Sequence, residues 1–192
     1  MIVNGVLKTF AIGCGATAYT IPTGVTKIGD CAFMYCSSLK NITISNSIIE
    51  IGYEAFRFCS NLTSITIPDS VTKIGDRAFS SCSSLNNVTI PNSVIEIRAG
   101  TFSFCSSLTS ITIPDSVTTI RGSAFECCNS LKSVYCTPKT PPTAYKSGIS
   151  PWNAFNDNAP GRIIYVPAES VAAYKVAEGW MEYANAIVGY DF

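Results

Sequence analysis

The chain repeats itself every 23 residues, and nothing else in it constrains the fold as strongly. Phe33, Phe56, Phe79, Phe102 and Phe125 keep this step. So do Cys36, Cys59, Cys82, Cys105 and Cys128, and Leu39, Leu62, Leu85, Leu108 and Leu131. Ile28, Ile51, Ile74, Ile97 and Ile120 form a fourth column, and Ile42, Ile65, Val88, Ile111 and Val134 a fifth. The third copy reads IPDSVTKIGDRAFSSCSSLNNVT. A longer period lies inside the short one: Phe58 and Phe104, with Ile49-Glu50 and Ile95-Glu96, mark alternate copies. The unit that was duplicated is therefore a pair of copies.

Each copy is too short to bury its own apolar face, so the copies must stack into a solenoid with one continuous core. Within a copy, Leu62, Ile65 and Ile67 alternate with small polar residues, the period of a strand with one buried face. Pro68-Asp69-Ser70 follows as a turn, since proline fixes its backbone angle and aspartate bonds its own backbone. Val71 and Ile74 point inward again from a second short strand or extended segment. Gly75 permits a bend. Ala78, Phe79 and Cys82 then lie on a short helical or 3₁₀ turn. Parallel strands about 4.8 Å apart in seven coils predict a rod face of roughly 30–35 Å.

Composition narrows the function. Of 192 residues, 47% are apolar and 14% charged, which suits a packed core. Thirteen basic residues balance thirteen acidic ones, without the cationic surplus of a nucleic-acid partner. The absence of histidine removes the His-dependent triads and His-containing zinc sites. No carboxylate pair, nucleophile–base pair or phosphate loop stands out, so the expectation is a non-enzymatic chain without cofactor or metal. No apolar stretch is long enough to span a membrane. The first residues, MIVNGVLKTFAIGCG, carry no export signal.

The nine cysteines lack a C-x-x-C pair. Column cysteines project in one direction, whereas a disulfide needs converging Cβ vectors. They read as buried thiols acting as small hydrophobes. Cys136 takes an isoleucine position and joins the core. Cys14, Cys31 and Cys127 lie off the column and are the candidates for exposed or reactive thiols. A charge column, Lys27, Glu50, Lys73 and Glu96 followed by Thr119, alternates in sign across neighbouring coils. It reads either as register control or as a solvated edge.

The array needs atypical ends to seal its core. Phe10 lies 23 residues before Phe33, which marks residues 1–20 as a degenerate first coil. Five regular repeats occupy 21–135. A divergent last repeat with a Pro-rich loop spans 136–167, rejoining the pattern at Ala154-Phe155 and at Ile163, Ile164 and Val166. Residues 168–192 form a C-terminal cap, with a helix from about Ala168 to Trp180, Gly179 near its end, and Val171, Tyr174 and Trp180 over the final coil. The whole is one repeat domain.

Leu-x-x-Ile-x-Ile with a downstream aliphatic, joined to Ala78-Phe79…Cys82, resembles the BspA-like (bacterial surface protein A-like) leucine-rich repeats. The resemblance covers 21–135 closely, and IIYVPAESVAAYKVAEGWMEYANAI is similar to a closing segment of that family. It implies a right-handed leucine-rich repeat solenoid with a parallel sheet, short helical or 3₁₀ turns and a C-terminal capping helix. It also implies a secreted or cell-surface adhesin, some relatives being associated with host matrix proteins. The missing export signal leaves a cytoplasmic setting open.

Two surfaces could bind. Outward strand positions line one broad, ridged, hydroxyl-rich face: Lys40, Asn41 and Thr43; Thr63, Ser64 and Thr66; Asn86, Asn87 and Thr89; Thr109, Ser110 and Thr112; Lys132, Ser133 and Tyr135. Threonine is good strand surface in itself. The alternative reading is a recognition face for an extended protein or glycan, although it lacks the aromatic anchors of tight interfaces. On the turn side, Tyr35, Phe58 and Phe104 form either an exposed row or inter-coil packing. A second functional class is a spacer or weakly self-associating assembly protein, opposed by a sealed C-terminal cap.

Overall fold

A computed structural model describes residues 1–10, 15–144 and 153–192. Its chain winds as a solenoid whose coils have two stranded sides and one turn side. The broad side carries eight strands: Ala18–Thr20, Asn41–Thr43, Ser64–Thr66, Asn87–Thr89, Ser110–Ile113, Ser133–Cys136, Ile163–Pro167 and Ile187–Tyr190. They form three successive sheets of two, two and four strands that together make up the broad side; every ladder is parallel, and through the regular repeats they advance by one repeat, with Ala18 opposite Asn41 and Ile65 opposite Val88. A central Ile or Val points inward and its neighbours outward, because strand side chains alternate. The narrow side carries two-residue strands, among them Val6–Leu7, Lys27–Ile28, Glu50–Ile51 and Lys73–Ile74.

Stacked phenylalanines fill the interior. From Phe33 to Phe155 successive ring centroids lie 5.0–5.5 Å apart and are tilted by no more than 10°. Phe10 and Tyr19 close one end of this stack, and Trp180 and Tyr183 the other. Column thiols serve a second purpose. Sγ of Cys59, Cys82, Cys105 and Cys128 donates to the carbonyl of the preceding coil's Phe33, Phe56, Phe79 and Phe102 at 3.1–3.3 Å. In the Pro-Asp/Asn-Ser turns the serine also reaches back one coil: Ser70 donates to Ile48 O, Ser93 to Val71 O and Ser116 to Val94 O. The motif is thus both a turn and an inter-coil staple.

The turn side has the 3₁₀-type bonds expected of it, Ala32 N to Gly29 O and Cys36 N to Phe33 O, but it is interrupted by left-handed residues. Cys31, Glu54, Arg77 and Ser123 have φ of 50–60°, as do Tyr35, Phe58, Ser81, Phe104 and Cys127 at 55–62°. Non-glycine residues adopt this region at a cost. Here the cost is offset because alternate amides donate to the next coil: Cys31 N to Tyr53 O, Phe33 N to Ala55 O, Tyr35 N to Arg57 O.

Gly29, Gly52 and Gly75 hold one column position, and none has a left-handed φ. What excludes a side chain there is close approach between coils. A Cβ on Gly75 would lie 2.6 Å from the backbone of Gly52 and Tyr53. Arg98 occupies this position in the next copy, and there the narrow-side ladder breaks: Lys73–Ile74 ends one sheet and Glu96–Ile97 begins another. The charge column follows the same division. Glu50 Oε1 meets Lys27 Nζ at 3.1 Å and Lys73 Nζ at 2.9 Å, whereas Glu96 turns to Arg121 Nε at 2.6 Å and Arg98 Nε at 3.4 Å. Partial burial raises both carboxyls, but the cations outweigh it and leave each below the usual range.

The degenerate first coil opens with an antiparallel hairpin, Ile2–Val3 with Val6–Leu7. The C-terminal end differs from expectation in two ways. The capping helix is short: a 3₁₀ turn at Ala168–Ser170 and an α-helix at Val171–Val176 that ends before Gly179. Gly179 packs against Ala144, where a Cβ would strike the carbonyl. Finally, a 3₁₀ segment at Met181–Ala186 leads into Ile187–Tyr190, an eighth strand on the broad sheet where seven coils were expected. Tyr174 and Trp180 are fully buried over the last coils, as their apolar character predicts. Part of the Pro-rich insertion lies outside the described residues.

Two outcomes follow. Gly75→Ala, by forcing backbone apart, costs about 1–3 kcal/mol and speeds exchange of the residue 75 amide, which bonds Ile51 O; urea denaturation and hydrogen exchange measure both. Glu50→Lys aligns three like charges, lowering Tm at low salt, with much of the loss recovered in about 1 M NaCl. Because the Glu50 pKa is depressed by folding, its contribution is present above the unfolded carboxylate pKa and disappears as pH falls through the folded one. Wild type and Glu50→Gln therefore converge in Tm at acid pH.

Candidate binding face

The broad sheet sets the expected outward residues in straight columns. Thr20 lies opposite Thr43, Thr66 opposite Thr89, and Thr112 opposite Tyr135. A second column runs through Asn41, Ser64, Asn87, Ser110 and Ser133. Lys40, Thr63, Asn86, Thr109 and Lys132 flank them, and Thr63 N and Lys132 N bond back one coil. All these side chains are exposed except Ser133 and Tyr135, which are half-buried. The regular part is a flat field of hydroxyls and amides on a rigid backbone.

Its C-terminal end is different. Register places Tyr165 beside Tyr135, and their rings stack at 4.8 Å. Tyr190 meets both edge-on, at 5.8 and 5.4 Å, and Phe192 meets Tyr190 at 5.1 Å. The face therefore does carry aromatic side chains, contrary to the sequence-based expectation. Tyr165 and Tyr190 fall 30 and 55 residues after Tyr135, outside the 23-residue step that organises the rest. An aromatic at the alternating outward position of IIYVP was the available signal.

The turn-side row divides. Tyr35 and Phe58 stack at 4.7 Å, with the Arg57 guanidinium 4.6 Å from the Phe58 ring. They are inter-coil packing as well as surface. Phe104, half-exposed, is separated from them by Ser81 in the intervening coil. The three aromatics do not form one continuous patch.

Among the described residues no disulfide joins two cysteines. Burial pushes the thiols of Cys59 and Cys128 up to about 12 and those of Cys82 and Cys105 well above the ordinary value. Cys31 and Cys127 are half-buried, and each is raised by burial and by neighbouring carboxylates. Sγ of Cys127 clusters with carboxylates of Glu126 and Asp157 within 4.8 Å. Those negative groups favour the protonated thiol, which is a poor nucleophile. Cys14 lies outside the described residues. No helix among the described residues is long and apolar enough to cross a membrane.

Residues 8–139 match the family model described as BspA type leucine rich repeat region, in six copies. No curated protein matches the chain. Among solved structures, a leucine-rich repeat protein from Bacteroides ovatus is 39% identical over 61% of this chain, with a TM-score of 0.58. This chain spans 32% of that protein's length, about a third. The T. pallidum leucine-rich repeat protein is 24% identical, covering 92% of this chain and 86% of its own, with a TM-score of 0.66. One from Eubacterium ventriosum is also 24% identical, over 82% of this chain and 47% of its own, with a TM-score of 0.59. At that identity the last two speak to the fold alone.

Thiol chemistry separates the two classes of cysteine. Iodoacetamide at pH 8 modifies Cys31 and Cys127 slowly and leaves Cys59, Cys82, Cys105 and Cys128 unmodified until the chain is unfolded, as read by peptide mass spectrometry.

Proposed function

Because the chain belongs to the BspA-type leucine-rich repeat family, we propose that it is a non-enzymatic binding module presenting its broad strand face to a protein or glycan. The observation that carries this reading is the contrast between the two stranded sides. The broad side offers long, exposed columns of hydroxyl and amide groups that end in aromatic rings. The narrow side has strands of only two residues, and its charges are tied up in ion pairs with one another. A rigid surface loses little entropy on binding, so weak polar contacts repeated along it can sum to useful affinity.

Resemblance to bacterial surface protein A-like repeats favours a secreted or cell-surface setting and an extracellular-matrix protein of a host as one partner. The buried Tyr174 and Trp180 at the C-terminal end oppose end-to-end stacking as the main role, and favour a monomer or weak self-association. Nucleic acid is disfavoured by the balance of charge.

Capture on immobilised fibronectin, fibrinogen and glycosylated matrix preparations tests the face. The triple variant Thr66→Glu, Thr89→Glu, Thr112→Glu alters only exposed side chains and is expected to lose at least tenfold in capture. Equal capture by variant and parent removes the broad face as the binding surface.

A further inference from the structure

Resting on the reading of the broad face as a binding surface, we propose that its C-terminal corner is a site for a neutral oligosaccharide. The sugar lies between the rings of Tyr190 and Phe192 and the polar side chains of Asn92, Thr112 and Asp115. A cleft of about 550 Å³ opens between them, inside the ~300–1,000 Å³ range of small-molecule sites. A second cleft, about 500 Å³, shares Asp115 and Lys139 with the first and continues along Pro138–Pro142. The two clefts adjoin at these shared residues.

The chemistry of the walls selects the ligand. A pyranose has an apolar C–H face and an equatorial rim of hydroxyls. The electron-rich face of an aromatic ring receives the first. Amide, hydroxyl and carboxylate groups receive the second. Tyr190 and Phe192, 45% and 56% exposed, supply the rings, and Asn92, Thr112 and Asp115 are exposed beside them. Among the described residues the groove's one cation is Lys139, paired with Glu169 at 3.1 Å, and Asp115 and Asp191 are the further charges that line it. These carboxylates accept from hydroxyls and repel sulfated or uronate sugars.

A strand-forming peptide fits less well. Pro114, Pro138, Pro141, Pro142 and Pro167 line the two clefts and have no N–H to offer a peptide backbone. The groove is also preorganised. Tyr190 is held edge-on by Tyr135 and Tyr165. Tyr174 OH donates to Pro138 O, and Trp180 Nε1 to Pro142 O, both at 2.7 Å, so the two buried cap residues fix the proline wall. Little ordering remains to be done when a sugar arrives.

Isothermal titration of the full chain tests this with linear tetrasaccharides of glucose, galactose, mannose and N-acetylglucosamine. A sulfated tetrasaccharide and an extended peptide serve as competitors for the assignment. At least one neutral tetrasaccharide is expected to bind in the parent. Its affinity falls at least tenfold in Tyr190→Ala and in Asp115→Asn, and stays within twofold in Thr66→Glu, Thr89→Glu. Asp115→Asn changes one exposed oxygen, so its loss of binding does not come from misfolding. The proposal is overturned if no neutral tetrasaccharide binds at millimolar concentration. It is equally overturned if both corner variants bind like the parent, or if the sulfated sugar or the peptide binds more tightly than every neutral sugar. Matrix-protein capture by Thr66→Glu, Thr89→Glu, which leaves Thr112 and the corner intact, reports on the broad face separately, so loss of the sugar site alone leaves that wider reading standing.

Discussion

Everything in this molecule depends on one coil covering the next. A 23-residue segment encloses only a few apolar side chains, and it acquires an interior only when its neighbours lie about 5 Å above and below. Three sets of contacts enforce that spacing at once. Strand ladders do so on two sides, alternate turn-side amides on the third, and the phenylalanine stack in between. Because all three share one axial repeat, a change in any of them is felt by the others. The glycine column illustrates the point. Gly52 and Gly75 bring backbones close enough for continuous pairing, and the first copy with a side chain there, at Arg98, is where pairing stops and the ion pairs change partners.

The cysteine column is explained by the same constraint. Each buried phenylalanine carbonyl already accepts an amide within its own turn, as Phe33 O does from Cys36 N, and has capacity for a second bond. Only a small side chain with a donor can supply that bond from the next coil without opening a void. Alanine lacks the donor, and a hydroxyl carries a larger desolvation cost in so apolar a setting. The thiol meets both requirements, and burial keeps it protonated, which is the state that donates.

What the sequence revealed follows from periodicity. Phe79, Cys82, Leu85 and Val88 are equivalent to their counterparts because each faces the same interior, so repetition alone identifies the core and the direction of the strands. The left-handed turn residues were hidden. Cys31, Arg77 and Ser81 have no compositional mark of that conformation, which is imposed by hydrogen bonds to the next coil. The final strand was hidden as well. Ile187–Tyr190 has one inward residue, Ile187, too little alternation to read as a strand until Ile164 is found beside it. The aromatic cluster combines both difficulties, since Tyr135, Tyr165 and Tyr190 meet only after an insertion and a cap have shifted the register.

The division of the broad face into a periodic field and an aperiodic end has a consequence for recognition. Along Thr43, Thr66, Thr89 and Thr112 one coil is nearly equivalent to the next, so an extended ligand displaced by one coil recovers almost the same contacts. Such a surface supplies affinity without position, much as a strand without distinctive side chains pairs in several registers. Position requires a feature that occurs once. Tyr135, Tyr165, Tyr190 and Phe192 are that feature, because no other coil carries aromatic residues in the outward strand columns among the described residues; Tyr19, at the opposite end, stands in the inward column of Ile42. On the proposed reading of this face, a ligand that engages both parts is fixed at one end and held along the remainder, so that specificity resides where the repeat fails.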